Sequence, residues 1–417
     1  MLKLAADGGA ADVIVVGAGA AGLAASARLR DLGVAHRMLE ARGRPGGRAH
    51  TVSVEGGFAV DLGCGWLHSA KQNEWTRIAE RAGLEIDRSP PPWSKSALDL
   101  NFPKAAQREY RRAFEDLEAR METLAERGED APASSAIRPE DARWRPLFDA
   151  FSGYYNGAAF EDISLKDYAA YQPTDDNWRL PDGYGALMAR FADGLPIVYD
   201  SPVSRIEHGG ARVRVVTPGG SMEARAVILA VPTPVLAGGG LTFDPPLPDK
   251  VEAAAALPLG HVNKVFLHLT GTDDFAPDSS VYGRTDSKDT GSYTLRPMGR
   301  PMIEGFFGGE IAGRLESEPG GLGDFAIQEL CSVFGSDFRS RVRFQCESAW
   351  GADPWSGGAY SHAKPGYAGM RAVLAAPVDQ RLFFAGEACS PHAFSTAHGA
   401  YETGVAAANA VAERLLR

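Results

Sequence analysis

The segment Asp12-Val-Ile-Val-Val16, followed by Gly17-Ala-Gly19-Ala-Ala-Gly22, constrains the fold more than any other stretch of the chain. A short apolar run closed by glycine reads as a buried parallel strand. Residues 20–32, rich in alanine and leucine, read as a helix that Gly33 ends, and His36–Glu40 reads as a second strand. Strand, glycine turn, helix and strand in this order make a βαβ unit of a Rossmann-like α/β fold. The spacing has a physical reason. Gly17 permits the tight turn, Gly19 lets backbone approach a pyrophosphate, and Gly22 lets helix pack on strand. The helix start, around Ala21, offers free N–H groups and a positive dipole end to phosphate. Glu40, 18 residues past Gly22, ends the second strand, where a carboxylate accepts hydrogen bonds from ribose hydroxyls. A dinucleotide site is the expectation, and this fingerprint alone serves FAD and NAD equally.

At 417 residues the chain is long enough for two domains. The periodicity predicts a long amphipathic helix over 101–128, with Tyr110, Ala113, Phe114, Leu117, Met121 and Leu124 on one face and Gly128 at its end. Its charged opposite face reads as solvated. Ile197–Tyr199, Val203–Ile206, Ala211–Val216 and Ala226–Val231 read as a strand series that Pro232 and Pro234 end. His261–Leu269 and Arg381–Gly386 are further strands, and 398–416 is a closing helix. The pattern suggests a discontinuous nucleotide-binding domain, 1–82, 182–255 and 345–417, interrupted by an α+β substrate domain at 83–181 and 256–344.

Bulk properties exclude several classes. Net charge is 43 − 53 = −10, whereas phosphate backbones call for a basic face, so no nucleic-acid partner is expected. The cysteines, Cys64, Cys331, Cys346 and Cys389, are scattered, which suits a reducing compartment. Met1–Asp7 does not read as a secretory signal, no apolar run nears the roughly 20 residues of a membrane span, and the chain ends at Arg417 on a soluble-looking helix. A cytoplasmic enzyme, monomeric or homodimeric and without membrane attachment, is the expectation. The histidines show no metal spacing, and neither a GxSxG elbow nor a GxxxxGK[ST] loop occurs.

The choice of cofactor rests on the loop beyond Glu40 and Ala41. Arg42-Gly-Arg-Pro-Gly-Gly-Arg48 directs three arginines and three glycines, Gly47 among them, toward the same phosphate region. It resembles the GRxGGR element of the flavin-containing amine oxidases of monoamine and polyamine oxidase type. The resemblance runs from residue 12 to residue 412. Asp61-Leu-Gly63-Cys-Gly65-Trp66-Leu-His68 is similar to the family segment running past the flavin ring. Ser201–Ile206 is similar to the segment that contacts adenine through backbone, at Val203. Lys264 in Val-Asn-Lys-Val matches the lysine that reaches flavin N5 through a water. Trp350–Tyr360, containing Trp355, and Phe384-Ala-Gly386-Glu387 match further signatures, and His398–Gly404, preceded by Thr396 and Ala397, matches the start of the last helix.

The resemblance implies FAD bound without a covalent link, because Ala359 stands where monoamine oxidases carry the linking cysteine. Tyr360 would be one aromatic wall of the substrate site, with Thr396 where the second wall would stand. Trp66-Leu-His68 and Ser395–Ala400 look like animal-type polyamine oxidases, in which a histidine meets a substrate nitrogen. His68 could equally be a histidine that only bonds nearby backbone, and Lys264 an edge-strand charge snorkelling to water. The implied reaction is hydride transfer from a primary or secondary amine to flavin N5. It yields an imine and then an aldehyde, with O2 reduced to H2O2. An L-amino-acid oxidase on the same scaffold is the nearest alternative, and a flavin desaturase or a non-catalytic flavin-binding scaffold are more distant ones.

Overall fold

The fingerprint strand Val13–Val16 is the middle of a five-stranded parallel sheet in the computed structural model, which describes residues 11–128 and 130–416. The order is Leu382–Phe384, Ala226–Leu229, Val13–Val16, His36–Leu39 and Ile197–Val198. Every residue of Val13–Val16 and Ala226–Leu229 is buried, as a sheet covered on both faces requires. One face carries the helices Ala20–Asp31 and Ala397–Leu416. They pack closely: a Cβ at Gly404 would lie 2.1 Å from the Ala21 carbonyl oxygen. The other face is covered by a four-stranded sheet ordered Gly220–Ala224, Val213–Thr217, Arg205–Glu207, Thr242–Asp244.

A third sheet, antiparallel, holds the order Ser279–Tyr282, Ser292–Leu295, Met302–Gly308, Val262–Leu269, Val342–Glu347. The helix Gly321–Phe334 backs it through Val265, Leu267, Tyr293 and Ile303. Alternation then turns Lys264, Glu304, Phe306, Ser292 and Thr294 to the opposite face. The helices Lys104–Arg127, Arg145–Asn156 and Leu165–Ala170 form a separate cluster around Leu117, Phe148 and Phe160. Glycines let Arg145–Asn156 lie on the third sheet, since a Cβ at Gly308 would meet the Gly153 oxygen at 2.0 Å.

The sequence reading holds for the βαβ unit and the long helix, with local corrections. Leu124 is 36% exposed, so the buried stripe ends at Met121, where the helix runs past its packing partners. The predicted strand series divides between two sheets, and Gly220–Ala224 and Thr242–Asp244 were not foreseen because they are short and mostly exposed. The boundary placed at 345 falls inside Val342–Glu347, whose pairing with Val262–Leu269 joins it to the third sheet. Met1–Asp7, Glu129 and Arg417 lie outside the described residues. Among those described, no helix is long and apolar enough to cross a membrane.

Candidate functional site

A cavity of about 1240 Å³ runs from the glycine turn after Val16 to the charged face of the third sheet. At its first end, Gly17 has φ +97°, and a Cβ there would stand 2.5 Å from the Ala230 oxygen. Gly19, by contrast, has open space where its Cβ would be and lines the cavity. It is the N-cap of Ala20–Asp31 and makes no side-chain capping bond, so the first N–H groups of the helix are presented to the cavity. Gly22 does not line it. Its Cβ would sit 1.8 Å from the Gly17 oxygen, which makes it a packing glycine, as the spacing predicts.

Glu40 is 4% exposed and organises this end. Its Oε2 accepts the Ala18 N–H at 2.6 Å and its Oε1 the Arg42 N–H at 2.9 Å, and each oxygen keeps a second lone pair. Ala21, Ala41, Gly47, Val203 and the half-exposed Trp355 also line the cavity. Arg42 donates to Asp353 at 2.6 Å and to Ser356 at 2.8 Å. Arg48 donates to the Ala359 oxygen at 2.5 Å and to Glu387 at 3.0 Å. Arg44 departs from expectation. It bonds the Pro45 oxygen and does not line the cavity, so two of the three arginines face it.

Beneath Arg48 lies a buried network. Glu387 accepts the Ser361 hydroxyl at 2.6 Å, Arg371 donates to that hydroxyl at 2.8 Å, and Asp167 holds Arg371 bidentately at 2.6 and 2.7 Å. Burial pushes the Glu387 carboxyl up, but Arg48, Ser361 and Arg371 together hold it below its usual range. Gly386, beside it, donates its N–H to Thr403. This network fixes Glu387 and, through it, the Arg48 side chain.

At the other end, Lys264 is 6% exposed on a strand flanked on both sides, so snorkelling from an edge is excluded. Its Nζ lies 3.0 Å from Glu304 Oε1 and would be 3.2 Å from a Cβ at Gly65. Asp61 is close by, its carboxyl pushed up by burial although Thr51, the Tyr184 N–H and Lys264 oppose the shift. Gly63 supports the turn that carries this segment, with its Cβ position 1.7 Å from the Arg48 oxygen. Trp66, edge-on to Trp93 at 4.4 Å, walls the cavity.

His68 bonds a side chain, not backbone, through its ring. Its Nδ1 is 2.6 Å from Asn177 Oδ1, while the Asn177 amide donates to the Asp175 oxygen. The His68 Nδ1 therefore carries the proton and Nε2 presents a lone pair. Burial lowers the His68 pKa, and nearby Lys264 adds to that. Tyr360 donates its hydroxyl to the Tyr154 carbonyl oxygen, which locks the ring, and burial pushes its pKa up. Thr396 lines the cavity, but its hydroxyl accepts the Gly399 N–H and donates to the Ala393 oxygen, capping the last helix beside Ala397. The Thr396 hydroxyl proton is therefore already donated within the helix cap.

The residues not foreseen are Glu304 and the aromatic walls. Tyr155 lies 5.8 Å from Tyr171, which lies 5.4 Å from Phe394, and Tyr155 meets Tyr168, whose hydroxyl points to Glu118 at 3.5 Å. No sequence motif marks these aromatics. Glu304, the lone charge in Met302-Ile-Glu-Gly-Phe-Phe-Gly308, was the available signal. Cys64 lines the cavity too. Burial and Asp61 push its thiol up to about 12, which leaves little thiolate for covalent attachment.

The model of flavin containing amine oxidoreductases matches residues 20–412. Polyamine oxidase 2 of Arabidopsis thaliana is 31% identical over 97% of this chain and 88% of its own length. Lysine-specific histone demethylase 1 homolog 2, also of Arabidopsis thaliana, is 30% identical over 97% of this chain. The chain spans only 59% of that relative, and 53% of lysine-specific histone demethylase 1 homolog 3 of Oryza sativa. Cyclohexylamine oxidase from Brevibacterium oxydans superposes with a TM-score of 0.76 at 23% identity, covering 98% of this chain and all of that one. A putrescine oxidase bound to putrescine gives 0.76 at 20% identity, covering 98% and 99%. The cofactor is FAD. The residues present fit it: an open Gly19 face, an uncapped helix start, a strand-end Glu40 and two braced arginines along one continuous cavity.

Proposed function

We propose that this chain, which belongs to the flavin-containing amine oxidoreductase family, oxidises a C–N bond of a primary or secondary amine to an imine that water hydrolyses to an aldehyde, with O2 as the electron acceptor and H2O2 as its product. The observation that carries the reading is a buried Lys264 facing the same cavity as a locked Tyr360 and a neutral His68. FAD, when bound, supplies the two-electron acceptor.

The protein's own groups bind and orient the amine. Tyr360, Tyr171 and Phe394 offer π faces to a nitrogen-bearing carbon chain. His68 Nε2, with its lone pair, accepts an amine N–H and so orients the nitrogen lone pair toward the reacting carbon. Because burial holds His68 neutral, it favours an uncharged amine, whose own lone pair assists loss of the α-hydrogen. Closely packed aromatics exclude water around this point.

Glu118, where the aromatic run ends, has its carboxyl pushed up by burial and by Glu122 and Glu115, so a second, distant ammonium group placed beside it would be favoured, which supports a di- or polyamine substrate. The amino-acid oxidase reading needs a free cavity arginine. Arg179 is already held by Asp87 and Asp278 at 2.6 and 2.7 Å, and Arg42 and Arg48 are braced at the nucleotide end; Arg111 stands at the exposed rim. H2O2 release from putrescine, spermidine, benzylamine, a methylated-lysine peptide and L-amino acids tests the reading. Production from the diamine or triamine is expected, and turnover confined to amino acids would overturn it.

A further inference from the structure

We propose that Glu304 is a positioning residue for Lys264: its carboxylate fixes the direction of the Lys264 side chain in the cavity. The inference rests on the amine-oxidising reading for its purpose, but not for its test.

The geometry follows from sheet register. Lys264 pairs with Phe306 and Phe266 with Glu304 across Val262–Leu269 and Met302–Gly308, so Glu304 is the diagonal neighbour of Lys264 on the cavity face. Both side chains are largely withdrawn from solvent, at 8% and 22% exposed, and their charged atoms are 3.0 Å apart. A lysine stem has rotatable bonds to spend, and Phe306, whose ring centre is 5.9 Å from Nζ, packs beside it without holding it. The carboxylate is the contact that selects one direction.

Other charged or titratable groups also surround the pair, from each element packed there. Asp61, at the end of Ala59–Asp61, and Cys64, just beyond it, lie near Lys264, and His68 stands beyond Trp66–Leu67. Arg300, in the turn before Met302, acts on Glu304 and Asp61 from the far side, while its own hydrogen bonds go to the Ala59 and Pro181 oxygens. Asp61 spends its oxygens on Thr51 and on the N–H groups of Tyr184 and Gly185. Glu304 is the carboxylate that Lys264 meets directly, at 3.0 Å.

The test uses holoprotein with lysine-selective ¹³Cε labelling and no amine present. The Lys264 resonance is assigned by its loss in Lys264→Met, and its order parameter from ¹³Cε relaxation at one fixed pH is compared in wild type, Glu304→Leu and Glu304→Asp. A side chain held in one direction keeps a high order parameter, so Glu304→Leu is expected to drop it into the flexible range, below about 0.6. Glu304→Asp should recover part of the loss. An order parameter unchanged in Glu304→Leu overturns the proposal, as does a loss of equal size in Glu304→Asp. Bound FAD, read from its visible absorbance, should remain at wild-type occupancy in each variant. Absence of amine turnover in the wild type would refute the functional reading and leave this result standing.

Discussion

Replacing Arg371 with methionine should destabilise the protein by about 3–5 kcal/mol, the cost of leaving one partner of a buried ion pair uncompensated. The structure sets this scale. Arg371 and Asp167 are 4% and 3% exposed, and the guanidinium makes two short bonds to the carboxylate and a third to Ser361. After the substitution, Asp167 retains the Ala363 N–H at 2.9 Å as its main donor. The contact of the guanidinium with the Phe394 face, 3.7 Å to the ring centre, is lost as well. Against a total stability of about 5–15 kcal/mol this is a large fraction. Arg371→Lys should recover little, since a point charge cannot chelate both oxygens. Arg371→Met combined with Asp167→Leu should recover most of the loss, leaving about 1–3 kcal/mol for the stranded Ala363 N–H. Urea unfolding followed in parallel by circular dichroism and flavin fluorescence measures these differences where the two probes coincide. A double variant no more stable than Arg371→Met would refute the reasoning.

Two glycines of the fingerprint should fail differently. Gly19→Val has a tolerant backbone (φ −78°) and free space, so the apoprotein should melt as wild type yet lose FAD affinity, whereas Gly22→Ala should not fold; titration of apoprotein with FAD beside a melting curve separates them. Acid precipitation should release all the flavin, because Ala359 carries no sulfur and the Cys64 thiol is pushed up to about 12; flavin retained in the pellet would contradict this. Stability should decline as pH falls from about 6.5 toward 4. Burial holds His362 and His398 down to about 4, below the usual 6.5, so between those values the unfolded chain binds more protons and folding is penalised. His398→Gln should flatten the decline in melting temperature, and an unchanged slope would contradict the assignment.

The nucleotide end was legible because its chemistry is local. A turn, a helix start and a strand-end acid lie within residues 12–48, and the resemblance extended that reading to Lys264, Tyr360 and Glu387. The substrate end was not, for physical reasons. Tyr155, Tyr168, Tyr171 and Phe394 come together only when helices from one insertion fold over the loop before the last helix, and singly each is an ordinary core aromatic. Glu304 gains its meaning from strand register, which a single sequence does not contain. The use of the Thr396 hydroxyl in capping the last helix was not legible either, because the motif gives only its place where a second aromatic wall is missing. Arg44 misled because adjacent arginines in an irregular loop need not share a direction.

Anaerobic rapid mixing of purified holoprotein with a diamine, read at the visible flavin band, tests the central claim most directly. Saturable bleaching in the wild type, slowed in Lys264→Met with FAD still bound, is the predicted result. An absorbance that no diamine, polyamine or monoamine changes would contradict it.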